Sequence, residues 1–505
     1  MVRRGQGAVG LASRRAAGFG AKKNSAGVLP EFEKLWRQCF SGFHQRRVAA
    51  HAQALALSTL LCLGRHTVTG LLTTCGWQFR DWTSSYRLFS QARLPLAHLF
   101  AVVRRAVVSE LPPDAPVGAV LDDTLVRRSG LRTPGVAWRR DPLGPHFQTN
   151  FVRAQRFLQT SLVLPSAEGD RRVLPIAFRH TPTPPKPGKK ATPAEQEKYR
   201  VAVRAARLGQ RAVEQIRELR AALDADPASA ARWLLVAFDG GYTNQTVLKH
   251  LPHHTTAIGR IRQDAKLFFP PDPAARKPRG RRLCYGSPAP TPEQVRLDAS
   301  PWQTFTFRHS GATYQLRFKP RTGLLWRAAG VGQTLQLVII APLGYRLRKG
   351  SKLLYRQPAF LLCTDPDLDP QLLIETYLHR WGIEVNFREE KTLLGVGQAQ
   401  VRCPESVESA PAFSVAAYAF LLLATQRACR DSSPGLLPRP KWSQPSPSSH
   451  LSTQQALQQL RAEVWCRGLG LALDHFSGFV PAPTPTTKPE KCSFPLASAV
   501  CYANA

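Results

Sequence analysis

The sequence predicts a mixed α/β fold: an α/β sheet with flanking helices, interrupted by a β-rich insertion and preceded by an all-helical N-terminal domain. Two short apolar runs, Val117 to Asp123 and Arg232 to Asp239, end in acids, the look of buried strands that deliver side chains at their ends. Between them lie two more strand-like runs, Arg156 to Leu164 and Arg172 to Phe178, and a long charged helical segment from Pro193 to about Leu223. Ahead of them, from Leu29 to about Arg105, the pattern is helical and rich in Ala and Leu, as in Arg47 to Leu63.

Each segment reads in turn. Residues 1–27 are a Gly/Ala/Arg-rich basic arm, and 28–110 form the helical domain, expected to bind DNA. Within it, Thr67 to Cys75, the break at Gly76 and Thr83 to Gln91 suggest a helix-turn-helix. Residues 115–264 make the first part of the core, where Gly240 and Gly241 turn the chain and Thr243 or Asn244 caps the next helix. Residues 265–344 lose the helical signal. Basic loops, Arg276 to Arg282 among them, alternate with β-patterned runs at Trp302 to Phe318 and Thr334 to Ile340. Residues 345–430 complete the core with a strand at Pro358 to Thr364, one helix from Pro370 to about Lys391, and an apolar helix from Ser406 to Ala428. The region 431–505 is Pro/Ser-rich with one helix, Thr453 to Arg467.

Bulk properties narrow the function. At 505 residues the chain exceeds one compact core. Lys and Arg number 69 against 34 Asp and Glu, a formal charge of +35, which implies a polyanionic partner such as nucleic acid and strongly salt-dependent binding. The 10 cysteines include no C-x-x-C pair, so they read as reduced, packed thiols rather than disulfides or a zinc ribbon. His250, His253 and His254 lack partners at metal-ligand spacing, and no motif supports Ser-His-Asp or Cys-His hydrolysis. The start carries no signal-peptide run, and the apolar stretch Ala412 to Thr425 is too short to span a bilayer. A cytoplasmic, nucleoid-associated protein with no membrane role is expected.

The chemistry concentrates in the segment after Pro370. Tyr377, Arg380, Glu384 and Lys391 are spaced Y-x2-R-x3-E-x6-K, which on a continuous helix puts them within roughly 60° of one another. One face then offers a carboxylate flanked by two cations and a phenol. Three carboxylates converging from separate elements suit phosphoryl transfer with two Mg²⁺ ions held by hard oxygen ligands. Arg380 and Lys391 would hold strand phosphates that the carboxylates alone repel.

Three motifs, Leu121-Asp122-Asp123-Thr124, Asp239-Gly240-Gly241-Tyr242-Thr243-Asn244 and Tyr377…Arg380…Glu384…Lys391, occur in this order with the β-rich stretch between the second and third. Over roughly residues 30–430 the chain resembles the DDE transposases of bacterial insertion sequences, in the group with the YREK signature. That resemblance implies an RNase H-like core and makes Asp123, Asp239 and Glu384 the catalytic ligands of two Mg²⁺ ions, with Mn²⁺ as a substitute. It makes Tyr377, Arg380 and Lys391 contacts to the transposon-end DNA. Asp123 is preferred over its neighbour because the family's acid directly precedes Thr, which leaves Asp122 a structural or supporting role. The basic residues Arg260, Arg262 and Lys266 read as phosphate contacts. The implied activity is cut-and-paste transposition. The terminal inverted repeats are bound, their ends are cut by metal-dependent hydrolysis, and the 3′-hydroxyl ends are joined to target DNA by a homodimer on paired ends. Some members of the group stack a flipped base on a Trp in the strand before the signature helix. Here that strand has only Phe360, with Trp326 and Trp381 elsewhere, so hairpin chemistry stays open. Two alternatives accompany this reading: an RNase H-like nuclease without strand transfer, and an inactive relic that only binds DNA.

Overall fold

In a computed structural model of the protein, the two acid-terminated runs lie side by side as parallel strands. The structure describes residues 27–469 except 131, 142–143, 146, 166–170, 273–282, 310–311, 349, 432–436 and 438–450, together with 500, 501 and 503. The expected basic arm, the Arg276 to Arg282 loop and most of the Pro/Ser-rich C-terminal region lie outside the described residues.

Five helices come first: α1 (Val28–Arg37), α2 (Arg46–Leu61), α3 (Val68–Thr74), α4 (Thr83–Ser90) and α5 (Leu96–Glu110). Gly76 turns the chain after α3 at φ +69, a conformation that favours glycine. The connection from Cys75 to Trp82 is longer than the three- or four-residue turn of a helix-turn-helix, so α3 and α4 depart from that motif.

The core follows as β1 (Val117–Arg127), β2 (Ala137–Arg140), β3 (Phe151–Pro165), β4 (Arg171–His180), α6 (Pro193–Ala205), α7 (Leu208–Asp224), β5 (Leu234–Phe238), α8 (Gln245–Leu248) and β6 (Thr255–Arg260). The single long helix expected over Pro193 to Leu223 is two helices that break at Ala206 and Arg207. α6 starts on a reciprocal cap between Thr192 and Glu195, with Pro193 in its first turn. β6 is a short, buried Thr-Thr-Ala-Ile-Gly run that carried no alternating pattern. After it come α9 (Pro292–Leu297), β7 (Gln303–His309), β8 (Ala312–Leu325), β9 (Thr334–Ile340), a small pair β10 (Gly344–Tyr345) and β11 (Leu354–Tyr355), and β12 (Ala359–Cys363). The chain closes with α10 (Pro370–Leu378), α11 (Trp381–Thr392), α12 (Pro404–Asp431) and α13 (Thr453–Leu469).

The main sheet runs β2-β3-β1-β5-β6-β12-β9-β8-β7, with β4 also on β3. Its inner order β4-β3-β1-β5-β6, antiparallel among the first three and parallel from β1 to β6, is that of an RNase H-like core. The β-rich stretch does not stand apart from this sheet. β12 pairs with β6, and β9, β8 and β7 extend the same sheet beyond it.

Opposite faces of the sheet receive different helices. On one face Val120, Val163, Val173 and Ala237 pack against Ile383 and Phe387 of α11. On the other, Gln215 of α7 bonds to Thr160 and to the Leu158 carbonyl of β3. By length and composition α12 could cross a membrane, although its apolar centre alone reads as too short. Most of that stretch is buried: Phe413 and Phe420 meet Trp36, Phe32 and Phe89 of the N-terminal helices. Its apolar surface is therefore satisfied inside the protein.

Candidate active site

Register decides which acid of the first motif faces the site. β1 and β5 are paired so that Leu121 lies opposite Phe238, which makes Asp122 the neighbour of Asp239 one step further along. Paired residues in adjacent strands share a face, and successive residues alternate. Asp122 therefore stands with Val120, Ala237 and α11, whereas Asp123 points to the opposite face. There Asp123 accepts a hydrogen bond from the Tyr242 hydroxyl (2.7 Å) and pairs with Arg156 (3.3 Å). The sequence reading favoured Asp123 as the ligand, whereas the acid the strand register brings beside Asp239 and α11 is Asp122. A one-residue difference in strand phase moves a side chain across the sheet, and the phase is set by the partner strand.

Asp122 is tightly held. One carboxylate oxygen accepts the Asp123 backbone N–H (2.8 Å), and the other faces Arg380 (3.4 Å). Burial, with the negative charges of Asp123 and Asp239 adding to it, pushes its pKa up to about 7. Arg380 also donates to Glu384 (2.8 Å), so one guanidinium ties the β1 carboxylate to α11. Burial opposes the charge on Arg380, but Tyr377, Glu384 and Asp122 outweigh it and raise its pKa.

The signature segment is not one helix. α10 ends at Leu378 and α11 begins at Trp381, joined by a tight turn in which Arg380 N–H bonds to the Tyr377 carbonyl and Gly382 N–H to His379. The sequence beyond the turn shows why α11 sits so low on the sheet. A Cβ on Gly382 would fall 2.4 Å from a Val173 methyl, so only glycine lets the helix backbone approach β4 this closely. Asn386 fixes the same contact by donating to the Val173 carbonyl (3.0 Å).

Despite the break, the four signature residues converge. Tyr377 lies with its ring near Arg380 (5.9 Å), and burial, with Asp239 also nearby, raises its pKa. Lys391 donates to Thr124 Oγ1 (2.6 Å), two residues beyond Asp122 on the same face of β1. Burial lowers the Lys391 pKa. Asp239, Tyr377, Arg380 and Arg260 thus stand together at the carboxyl ends of β5 and β6. Arg260 is exposed there, Arg262 forms a two-pronged pair with Asp264 (2.8 and 2.9 Å), and Lys266 is exposed beyond it. Glu384 is attached to the cluster through Arg380. Among the described residues, no three Asp, Glu, His or Cys side chains are already gathered at metal-binding distance.

Two features escaped the sequence reading. Tyr242, from the Gly-Gly turn, anchors Asp123 from the far side and is itself buried. Trp326, taken to lie elsewhere, lines a cleft of about 660 Å³ beside the Asp239 turn, together with Gly240, Arg260 and Phe360. The pairing of Leu325 with Phe268 brings it there, a contact no local pattern encodes.

A search of curated proteins gave no match. The family model described as DDE superfamily endonuclease matches residues 38–314, which takes in Asp122, Asp123 and Asp239 and stops short of α10. More than half of the chain is covered, and the matched part holds the RNase H-like strands that place the acidic pair: the chain belongs to the DDE superfamily endonuclease family.

Proposed function

We propose that the protein is a DNA transposase of the YREK-signature group from a bacterial insertion sequence, with Asp122, Asp239 and Glu384 as its carboxylate triad. The observation that carries this is the in-register pair Asp122 and Asp239 at the mouth of a face closed by Tyr377, Arg380, Glu384 and Lys391. The donor set fits a divalent cation. It consists of hard carboxylate oxygens, and the register that sets Asp122 beside Asp239 on one face gathers negative charge that a bound cation would offset. Mg²⁺ held there by Asp122, Asp239 and Glu384 would activate the attacking oxygen and stabilise the leaving one.

The chain's own residues do the rest. Arg380 is placed to exchange its carboxylate partners for a phosphate of the cut strand, a planar match that lysine cannot supply. Lys391, held at Thr124, adds a second cation on the same face. Tyr377 packs its ring against Arg380 and limits the directions in which the guanidinium can turn. Arg260, Arg262 and Lys266 line the exit beside Asp239 and meet the flanking phosphates. Trp326, half-buried at the wall of the cleft, offers a base-stacking surface next to the turn. A pair of subunits on paired ends would let both ends be cut and joined together.

The test uses the full chain, Mg²⁺ and linear DNA carrying the terminal repeats of its own element, with Asp239→Ala beside the wild type. Metal-dependent cuts at the repeat ends and joined products from pre-cut ends, both absent in Asp239→Ala, are expected. Cutting without joining would make the protein a nuclease without strand transfer. Binding without cutting, by a well-folded protein, would make it a DNA-binding relic.

A further inference from the structure

The sheet does not end at the site. β1 continues past Asp122 to Arg127, and β3 with β2 projects further as a ribbon joined by pairs Trp138 with Arg153 and Arg140 with Phe151. Asp122 pairs with Gln159, Thr124 with Phe157 and Val126 with Gln155, so the odd-numbered residues of β3 share the face of Asp122. Carried to the end of β3, that alternation puts Arg153, Phe151, Trp138 and Arg140 on the same face. From Gln159 to Arg153 is about 20 Å along the strand.

This end of the ribbon breaks the ordinary rule for a sheet surface. Trp138 is 68% exposed and Phe151 56%, and Phe147 in the turn between β2 and β3 is 91% exposed. Large aromatics exposed together rather than singly mark an interaction surface. The Arg153 guanidinium lies over the Trp138 ring at 6.0 Å. The charge is one-signed: between Arg127 and Arg156 the chain holds seven arginines against a single acid, Asp141, which Arg127 pairs. An apolar protein partner would find a cationic rim here, and a duplex would keep its bases stacked away from the rings. Exposed π-faces interleaved with arginines match an unpaired nucleic-acid strand, whose bases stack while its phosphates are neutralised.

We infer that the β2–β3 ribbon is a binding platform for an unpaired DNA strand, with Trp138 and Phe151 stacking bases and Arg140 and Arg153 holding phosphates. The inference rests on the proposed reading of the site as a DNA-cutting centre, but its chemistry can be tested without cleavage.

The probe is a fluorescein-labelled thymidine oligonucleotide of about 15 nucleotides, with a duplex of equal length for comparison. Binding to the full chain is measured without metal by anisotropy. Trp138→Ala with Phe151→Ala is expected to weaken single-strand binding by at least about tenfold while duplex binding changes by less than about twofold. Trp138→Phe, which keeps a stacking ring, should restore most of the single-strand affinity of the Trp138→Ala change, and this separates stacking from misfolding. Unchanged single-strand affinity in the double variant would overturn the platform, as would an equal loss on both probes with no rescue by Phe. Cleavage of repeat-bearing DNA by the wild type in Mg²⁺ is read separately. Its failure would remove the transposase reading and leave the binding result standing, and the converse holds.

Discussion

Replacing Asp122 by Asn is expected to lower Mg²⁺-dependent DNA cleavage by at least about a thousandfold, whereas Asp123→Asn should lose less than about tenfold. The two residues are adjacent in sequence and would be treated as interchangeable by any reading that ignores strand phase. Their surroundings differ. Asp122 neighbours Asp239 in register and shares Arg380 with Glu384, so on the proposed assignment removing its charge removes a hard oxygen ligand from the reacting face. Asp123 faces Tyr242 and Arg156 across the sheet, and an Asn there still accepts the Tyr242 hydroxyl. What Asp123→Asn gives up is a partly exposed ion pair, an interaction that contributes about 1 kcal/mol or less. The measurement is single-turnover cleavage of repeat-bearing DNA, with a gel-shift control for binding. Loss of cleavage in Asp123→Asn with activity kept in Asp122→Asn would reverse the assignment.

The second large effect concerns stability. Glu390 on α11 is 1% exposed, and burial pushes its pKa up to about 8. It lies beside Gln159, the strand partner of Asp122. Glu390 Oε1 has no hydrogen-bond partner, and a hydrogen bond from the Gln159 side chain favours the charged form but is outweighed by burial. The folded pKa lies above the unfolded one, so between about pH 4.5 and about 8 the folded state keeps a proton that the unfolded chain has released. Stability contributed by this group is therefore full below the unfolded value and falls as pH rises through that window. The accumulated loss is on the order of 4 kcal/mol by pH 8. Glu390→Gln keeps a donor and cannot ionise. It should match the wild type near pH 5 and exceed it increasingly toward pH 8 in denaturant melts. A constant offset across that range would show that Glu390 does not titrate there.

Much of this was written in local pattern. Both acid-ended strands, the two antiparallel strands between them and the signature spacing from Tyr377 to Lys391 are visible in sequence, because buried strands and charged helix faces leave short-range signatures. Strand phase is not local. Whether Asp122 or Asp123 faces α11 depends on how β1 pairs with β5, more than a hundred residues away. The same holds for β7, β8 and β9, whose β character was legible but whose place as an extension of the core sheet rests on β12 reaching β6. Helix breaks at Ala206 and His379 went unseen because the glycines near them, Gly209 and Gly382, fall inside the following helices, where a lone Gly does not mark a break. Trp326 entered the cleft by a single backbone bridge, again beyond the reach of periodicity.

The most direct measurement is anomalous scattering from crystals of the full chain with repeat-end DNA and Mn²⁺. Manganese density against the carboxylates of Asp122 and Asp239, on the face covered by α11, is the predicted result. Density on the opposite face beside Asp123 and Tyr242, or an ordered DNA end with no metal at Asp122 and Asp239, would contradict the assignment of this face as the catalytic centre.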